Sequence, residues 1–253
     1  MELKLFFHPS CSASRRLIMN LLRRNLLSEI ELIDVSNIAS SGAMRYEVWS
    51  VPWLLYGSRA AAMDPIKDEE IVSIIERREA DIPRHLETAF ARAVLHSSYA
   101  SALVYLHGSI EPVCSEALVS AAVRHPFGGP EPSEVILRLR EAGQSFLEKL
   151  LDDVIPTLSM AYLRAFYWTQ DLSDAEPPTD GELARWLLAQ ASIGRAGLPQ
   201  KPSVSRERVG RLASYIRENF SPLLEKVARE QEELMNDEDY WEFLRSLEVQ
   251  RAH

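Results

Sequence analysis

The stretch His8-Pro-Ser-Cys-Ser-Ala-Ser14 joins an apolar segment to an amphipathic one, and it decides how the first part of the chain folds. Before it, Glu2–His8 holds a short apolar run that is typical of a β-strand. After it, Ser12–Asn25 carries leucine and isoleucine at helical spacing and predicts a helix. Cys11 therefore falls at, or just before, the first turn of a helix that follows a strand.

The position of Cys11 predicts a reactive thiol. Unpaired backbone N–H groups and the helix dipole favour negative charge at a helix start, and the thiolate is the reactive form of cysteine. Arg15 and Arg16 follow one turn later and add positive potential. Ser14 stands where a C-x-x-C site has its second cysteine, and its hydroxyl can donate a hydrogen bond to the thiolate but cannot attack a mixed disulfide. An external thiol, or a distant cysteine, must then resolve the mixed disulfide of Cys11.

The elements up to residue 78 alternate between strand and helix. Glu29–Val35 alternates apolar residues like a strand, and the polar segment Ser36–Glu47 predicts a short helix. Gly57-Ser58 separates two short apolar runs, which indicates a β-hairpin. The remaining predicted elements are the hairpin strands Pro52–Tyr56 and Arg59–Met63 and the helix Asp68–Arg78. The order βαβαββα predicts an α/β domain over residues 1–78.

After residue 78 the strand patterns stop, and the sequence predicts an all-helical domain over residues 79–253. One helical pattern runs from Pro83 to about His107. Proline-rich and glycine-rich joints divide the rest. The other predicted helices are Val113–His125, Pro132–Asp153, Pro156–Thr169, Asp180–Ala196, Ser203–Asn219, Pro222–Met235 and Asp237–Val249.

The strand, the motif Pro9-Ser-Cys-Ser-Ala-Ser14 and the helix together resemble the active-site corner of the thioredoxin and glutaredoxin superfamily, in its monothiol C-x-x-S form. The segment Ser50–Tyr56 is similar to that family's loop before the third strand, where the proline is cis and faces the cysteine. The resemblance covers residues 1–78. It implies a thioredoxin-like fold for the N-terminal domain.

The same resemblance implies the site. Cys11 and Ser14 would be its catalytic residues, with Arg15 beside them. The Val51-Pro52 bond would be cis, with Pro52 packed against Cys11. Arg15, Val51, Pro52 and Trp53 would then be substrate-binding residues at the groove.

A thioredoxin-like domain followed by helices also resembles the glutathione transferases. After their fourth strand these proteins place a polar turn that anchors the γ-glutamyl end of glutathione. Here that stretch is Ala62-Met-Asp-Pro65, in which Asp64 could accept the amine but Pro65 offers neither an N–H group nor a hydroxyl. Glutathione or another small thiol is a possible co-substrate, and the sequence predicts no other cofactor and no metal.

The second cysteine, Cys114, begins a predicted helix among apolar neighbours. We expect a buried structural thiol there rather than a resolving cysteine, with no disulfide to Cys11. Two cysteines in 253 residues are too few for a disulfide scaffold.

Composition limits the partners. The chain is 46% hydrophobic and 26% charged, as is usual for a globular protein. No stretch reaches the roughly 18 uncharged apolar residues that cross a bilayer, and residues 1–8 are not typical of a signal peptide. We therefore expect a cytoplasmic protein without a membrane partner. The net charge of −9 falls entirely on residues 79–253 and argues against nucleic acid.

Three functional hypotheses follow. The first is a thiol-disulfide redox protein that acts through Cys11 on a disulfide-containing protein or a small-thiol substrate. The second is a glutathione-transferase-like enzyme that binds a small substrate between the two domains. The third is a non-catalytic docking module on a thioredoxin scaffold.

Overall fold

The computed structural model describes residues 2–36, 41–169, 175–192 and 205–251. Its N-terminal part contains a four-stranded mixed sheet. The strands are β1 (Leu3–Phe7), β2 (Ile30–Asp34), β3 (Trp53–Tyr56) and β4 (Arg59–Met63). All four lie within the segments that the sequence predicts as strands.

The strand order in the sheet is β2-β1-β3-β4. β1 pairs parallel with β2 and antiparallel with β3, and β3 pairs antiparallel with β4. Gly57, in the turn of the predicted hairpin, has a φ of 64°, a conformation that glycine adopts without steric cost. The register places Phe6 opposite Trp53 in the middle of the sheet.

Ten α-helices accompany the sheet in the described part of the chain, and after residue 78 every described regular element is helical. They are α1 (Ser12–Arg23), α2 (Asp68–Arg77), α3 (Leu86–Leu95), α4 (Ser98–His107), α5 (Glu116–Val123), α6 (Pro132–Glu141), α7 (Gly143–Thr169), α8 (Asp180–Ala191), α9 (Arg206–Met235) and α10 (Glu238–Arg251). The structure thus combines a small α/β part with a larger helical part.

Two of the predicted helices are each divided into two helices in the structure. The pattern from Pro83 to His107 forms two helices, α3 and α4, because the Ser97 side chain accepts a hydrogen bond from the Ala100 backbone and starts a new helix. The prediction over Pro132–Asp153 likewise breaks before α7, where Gly143 has a φ of 73°.

Two prolines, in contrast, lie inside helices where the sequence predicts a boundary. Pro156 is inside α7. Pro222 is inside α9, which is kinked at Asn219 (φ −117°, ψ 15°). The Asn219 side chain donates to the Tyr215 carbonyl at 2.8 Å, so a carbonyl near the kink keeps a partner.

Three predicted helices extend onto residues that lie outside the described part of the chain. They are Ser36–Glu47 (at residues 37–40), Asp180–Ala196 (at residues 193–196) and Ser203–Asn219 (at residues 203–204). Residues 43–47 form turns rather than a helix.

The two faces of the sheet are covered by different parts of the chain. One face contributes Phe6, Trp53 and Leu55 to a large core that also contains the helical residues of α3 to α9. The other face packs on α1 and α2, and Tyr240 and Leu244 of α10 join this second core. α10 therefore returns to the sheet.

Among the described residues, no helix combines the length and the apolar character that a membrane crossing requires.

Candidate functional site

Cys11 is the N-cap residue of α1. Its backbone is extended (φ −101°, ψ 114°), and its thiol accepts no capping hydrogen bond from the first turn. The backbone is held by hydrogen bonds from Cys11 N to His8 O (3.0 Å) and from Arg15 N to Cys11 O (2.9 Å). The side chain is partly exposed. The thiol therefore lies at the positive end of a helix dipole, as the sequence predicts.

The turn before β3 lies against Cys11. The Cys11 thiol donates a hydrogen bond to the carbonyl oxygen of Val51, and the distance from Sγ to this oxygen is 3.5 Å. The Val51-Pro52 peptide bond is cis, which confirms that prediction, and the Asp64-Pro65 bond is cis as well. Pro52 itself is buried, and the observed polar contact of Cys11 with this turn is made to Val51.

A cavity of about 510 Å³ opens beside the thiol. Its walls come from three parts of the chain: the Cys11 loop with the end of β2, the segment before β3, and the helices α4 and α8. The lining residues are His8, Cys11, Val35, Ala43, Met44, Glu47, Val48, Trp49, Ser50, Val51, Ser98, Tyr99 and Gln190. Trp49 stacks on Tyr99 with 5.1 Å between the ring centroids. The volume suits a small organic ligand.

His8 lines this cavity as a neutral imidazole at pH 7. Burial lowers the pKa of His8, and the nearby carboxylate of Asp34 opposes the effect only in part. The Ser10 backbone N–H donates to His8 Nδ1 at 3.1 Å. Because Nδ1 is the acceptor, the proton of the neutral ring is on Nε2.

Ser14 does not make the predicted contact with the thiol. Its side chain is fully buried, and its hydroxyl has no hydrogen-bond partner among the described residues. The reason is geometrical, since Ser14 faces the core on the buried side of α1 while Cys11 turns toward Val51.

Arg15 points away from the cavity and holds α1 to the C-terminal helices. Its Nη1 donates to Asp237 Oδ2 at 2.7 Å and to the Glu233 carbonyl at 3.3 Å. The hydroxyl of Tyr240, a fully buried residue, donates to the Pro9 carbonyl at 3.2 Å. Residues far along the chain therefore position the loop that carries Cys11.

Two other predicted substrate residues lie elsewhere. Trp53 is fully buried because its position in β3, opposite Phe6, directs the side chain into the core. Asp64 pairs with His96, whose Nδ1 lies 2.5 Å from Asp64 Oδ2. Neither residue lines the cavity beside Cys11.

Cys11 and Cys114 are both free, as predicted, and Cys114 is half-buried rather than fully buried. Burial raises the pKa of Cys114 to about 11, and the carboxylate of Glu111 adds to the effect.

At pH 7 we expect iodoacetamide to modify Cys11 well before Cys114. A thiol whose pKa is about 11 is about one part in 10⁴ thiolate at pH 7, so Cys114 should become reactive only as the pH approaches 11. Peptide mass mapping after timed alkylation from pH 6 to 10 measures both sites. Equal labelling of the two cysteines at pH 7 would contradict this prediction.

Sequence reasoning missed most of the cavity wall. Trp49 directly precedes the Ser50–Tyr56 segment, and a large aromatic residue next to that turn could have indicated a place in the cavity wall. Tyr99 and Gln190 come from distant helices, and no local pattern marks them as neighbours of Cys11. Gln190 donates to Ser98 at 2.8 Å and so ties α8 to α4 at the cavity wall.

Comparison with protein-family models, with curated proteins and with solved structures found no match for this chain.

Proposed function

We propose that this chain is a monothiol thiol-disulfide redox protein, built on a thioredoxin-like N-terminal domain and acting through Cys11. The observation that carries the proposal is the placement of Cys11, a partly exposed thiol at the N-cap of α1 in the wall of a cavity of about 510 Å³. The described order of β1, α1, β2, β3, β4 and α2 is compatible with the α/β layout that the resemblance implies. The contact between Cys11 and the Val51-Pro52 turn supports the same assignment.

The chemistry proceeds in two exchanges. The Cys11 thiolate attacks one sulfur of a substrate disulfide, forms the mixed disulfide and releases the other half as a thiolate. A second, external thiol then attacks the mixed disulfide, which regenerates Cys11 and releases the bound half as a new disulfide. Each exchange conserves the number of disulfide bonds, and the external thiol is the net reductant.

Two structural features support these exchanges. The hydrogen bond from the Cys11 thiol to the Val51 carbonyl orients Sγ before deprotonation. After deprotonation, the first-turn N–H groups of α1 are available to the sulfur, because no side chain caps them.

Mass spectrometry after exposure to disulfides tests this function. The parent protein and Cys114→Ser should each gain one half of a small disulfide, such as 2-hydroxyethyl disulfide or glutathione disulfide, and an added thiol should remove it. Cys11→Ser should gain nothing. A protein disulfide in the same assay distinguishes a protein substrate from a small one.

If the parent and Cys11→Ser give the same masses with every disulfide, the redox function is excluded. The docking-module hypothesis would then remain, with Cys11 as a bystander.

A further inference from the structure

The cavity beside Cys11 is unusually poor in positive charge for a site that handles thiols. Among its lining residues, all of which belong to the described part of the chain, there is no lysine and no arginine. Its one carboxylate, Glu47, is exposed at the surface. Since His8 is neutral at pH 7, the lining carries net negative charge.

The cations closest to Cys11 in sequence do not change this balance. Arg15 is engaged by Asp237 and by the Glu233 carbonyl. Arg16 lines clefts on the other side of α1 rather than this cavity. The net charge of the whole chain, −9, also repels anions at long range.

Much of the remaining wall is apolar or aromatic, and its other polar residues, Ser50, Ser98 and Gln190, are uncharged. Val48, Val51 and the stacked pair of Trp49 and Tyr99 present hydrocarbon and ring surface to the cavity. Met44, which is 52% exposed, adds a flexible apolar side chain at the opening. Apolar groups of a ligand would be favourably buried here.

We propose that this cavity selects uncharged or cationic disulfides with an apolar or aromatic body and discriminates against anionic ones. The proposal rests on the proposed function and names its substrate class. Glutathione carries two carboxylates, and no lysine or arginine among the described lining residues can form an ion pair with either of them. Asp64, the residue expected to hold its amine, is paired with His96 away from the cavity.

Two aromatic disulfides that differ in charge test the selection. 4,4′-Dithiodipyridine is uncharged at pH 7, and 5,5′-dithiobis(2-nitrobenzoate) carries a carboxylate on each half. As Cys11 is modified, the first reagent releases a thiopyridone and the second a nitrothiobenzoate thiolate, and the absorbance of each product gives the rate. The Cys114→Ser protein isolates Cys11, and the same protein unfolded in urea gives the rates without a cavity.

The quantity to compare is the rate of Cys11 modification by the neutral reagent divided by the rate with the anionic reagent. We expect this ratio to be about tenfold higher for the folded protein than for the unfolded chain. Met44→Lys should reduce that ratio about threefold by placing a cation at the opening. Met235→Lys, at a methionine that is 48% exposed but does not line the cavity, is the matched control and should leave the ratio unchanged.

The outcomes separate the two proposals. The charge selection is wrong, and the redox function stands, if folded Cys11 reacts rapidly with both reagents and its rate ratio equals that of the unfolded chain. The same conclusion follows if Met44→Lys and Met235→Lys change the rate ratio equally. If folded Cys11 reacts more slowly than the unfolded chain with both reagents, both proposals fail.

Discussion

Ser14→Cys should convert the monothiol site into a dithiol site that resolves its own mixed disulfides. A half-disulfide on Cys11 should be expelled by the new thiol, leaving an internal disulfide between positions 11 and 14. Residues three apart in a helical turn meet the Cα spacing that a disulfide needs, roughly 4.4 to 6.8 Å. The Cys11 side chain must turn from Val51 toward position 14 for this attack. Intramolecular attack should then shorten the lifetime of the mixed disulfide by at least about 100-fold.

The structure makes position 14 suitable for this change. The Ser14 side chain is fully buried, and its hydroxyl has no partner among the described residues. Cysteine is close to serine in size and tolerates an apolar environment better, so the fold should be retained. Because position 14 is shielded from solvent, its thiol would meet few disulfides other than the one on Cys11.

Intact mass after a pulse of 2-hydroxyethyl disulfide measures the result. The parent should retain the added half of the reagent. Ser14→Cys should release it and end with the mass of its reduced form minus two hydrogens. Ser10→Cys is the matched control, since Ser10 is exposed and adjacent to Cys11, where a disulfide is strained. A stable mixed disulfide in Ser14→Cys would show that this residue does not approach Cys11.

Glu70→Gln should lower the free energy of unfolding by about 3 to 5 kcal/mol. Glu70 and Arg124 form a buried ion pair between α2 and the end of α5, with side chains only 5% and 9% exposed. The Arg124 guanidinium donates to Glu70 through Nε (2.7 Å) and Nη2 (3.3 Å). Glutamine keeps the shape of the side chain but leaves the guanidinium buried without a countercharge.

Urea unfolding followed by circular dichroism gives this free energy. The control is Arg140→Ala, which breaks a two-bonded ion pair with Glu111 in which the side chains are 50% and 45% exposed. Solvent screens that pair, so its loss should have a far smaller effect. Similar losses in both variants would mean that the Glu70–Arg124 pair is not the junction between α2 and α5 that we infer.

The strands of the sheet follow from local patterns. The hairpin strand Arg59–Met63 has the bounds that the sequence predicts, because Gly57-Ser58 and the short apolar runs on either side specify a turn and two strands locally. The break between α3 and α4 was not predicted. Ser97 lies within a helical pattern that has no proline or glycine after Pro83, and the hydrogen bond that its side chain accepts from the Ala100 backbone N–H marks the start of the second helix.

The site is predictable only where a single segment forms it. The position of Cys11 at a helix start follows from adjacent residues. The predicted role of Trp53 did not account for strand parity, which turns that side chain into the core, whereas Trp49 in the preceding loop reaches the cavity. The contribution of Tyr99 depends on which helix packs beside the sheet, and long-range packing sets that choice.

The contacts of Tyr240 and Asp237 with the Cys11 loop have a consequence for biosynthesis. Tyr240 is added to the chain 231 residues after Pro9, whose carbonyl it binds. During translation the nascent loop therefore lacks these contacts until Asp237 and Tyr240 have left the ribosome. A chain that stops before Asp237 would carry the cysteine in a loop without these contacts, so the thiol site is completed only after residues 237–240 have been synthesised.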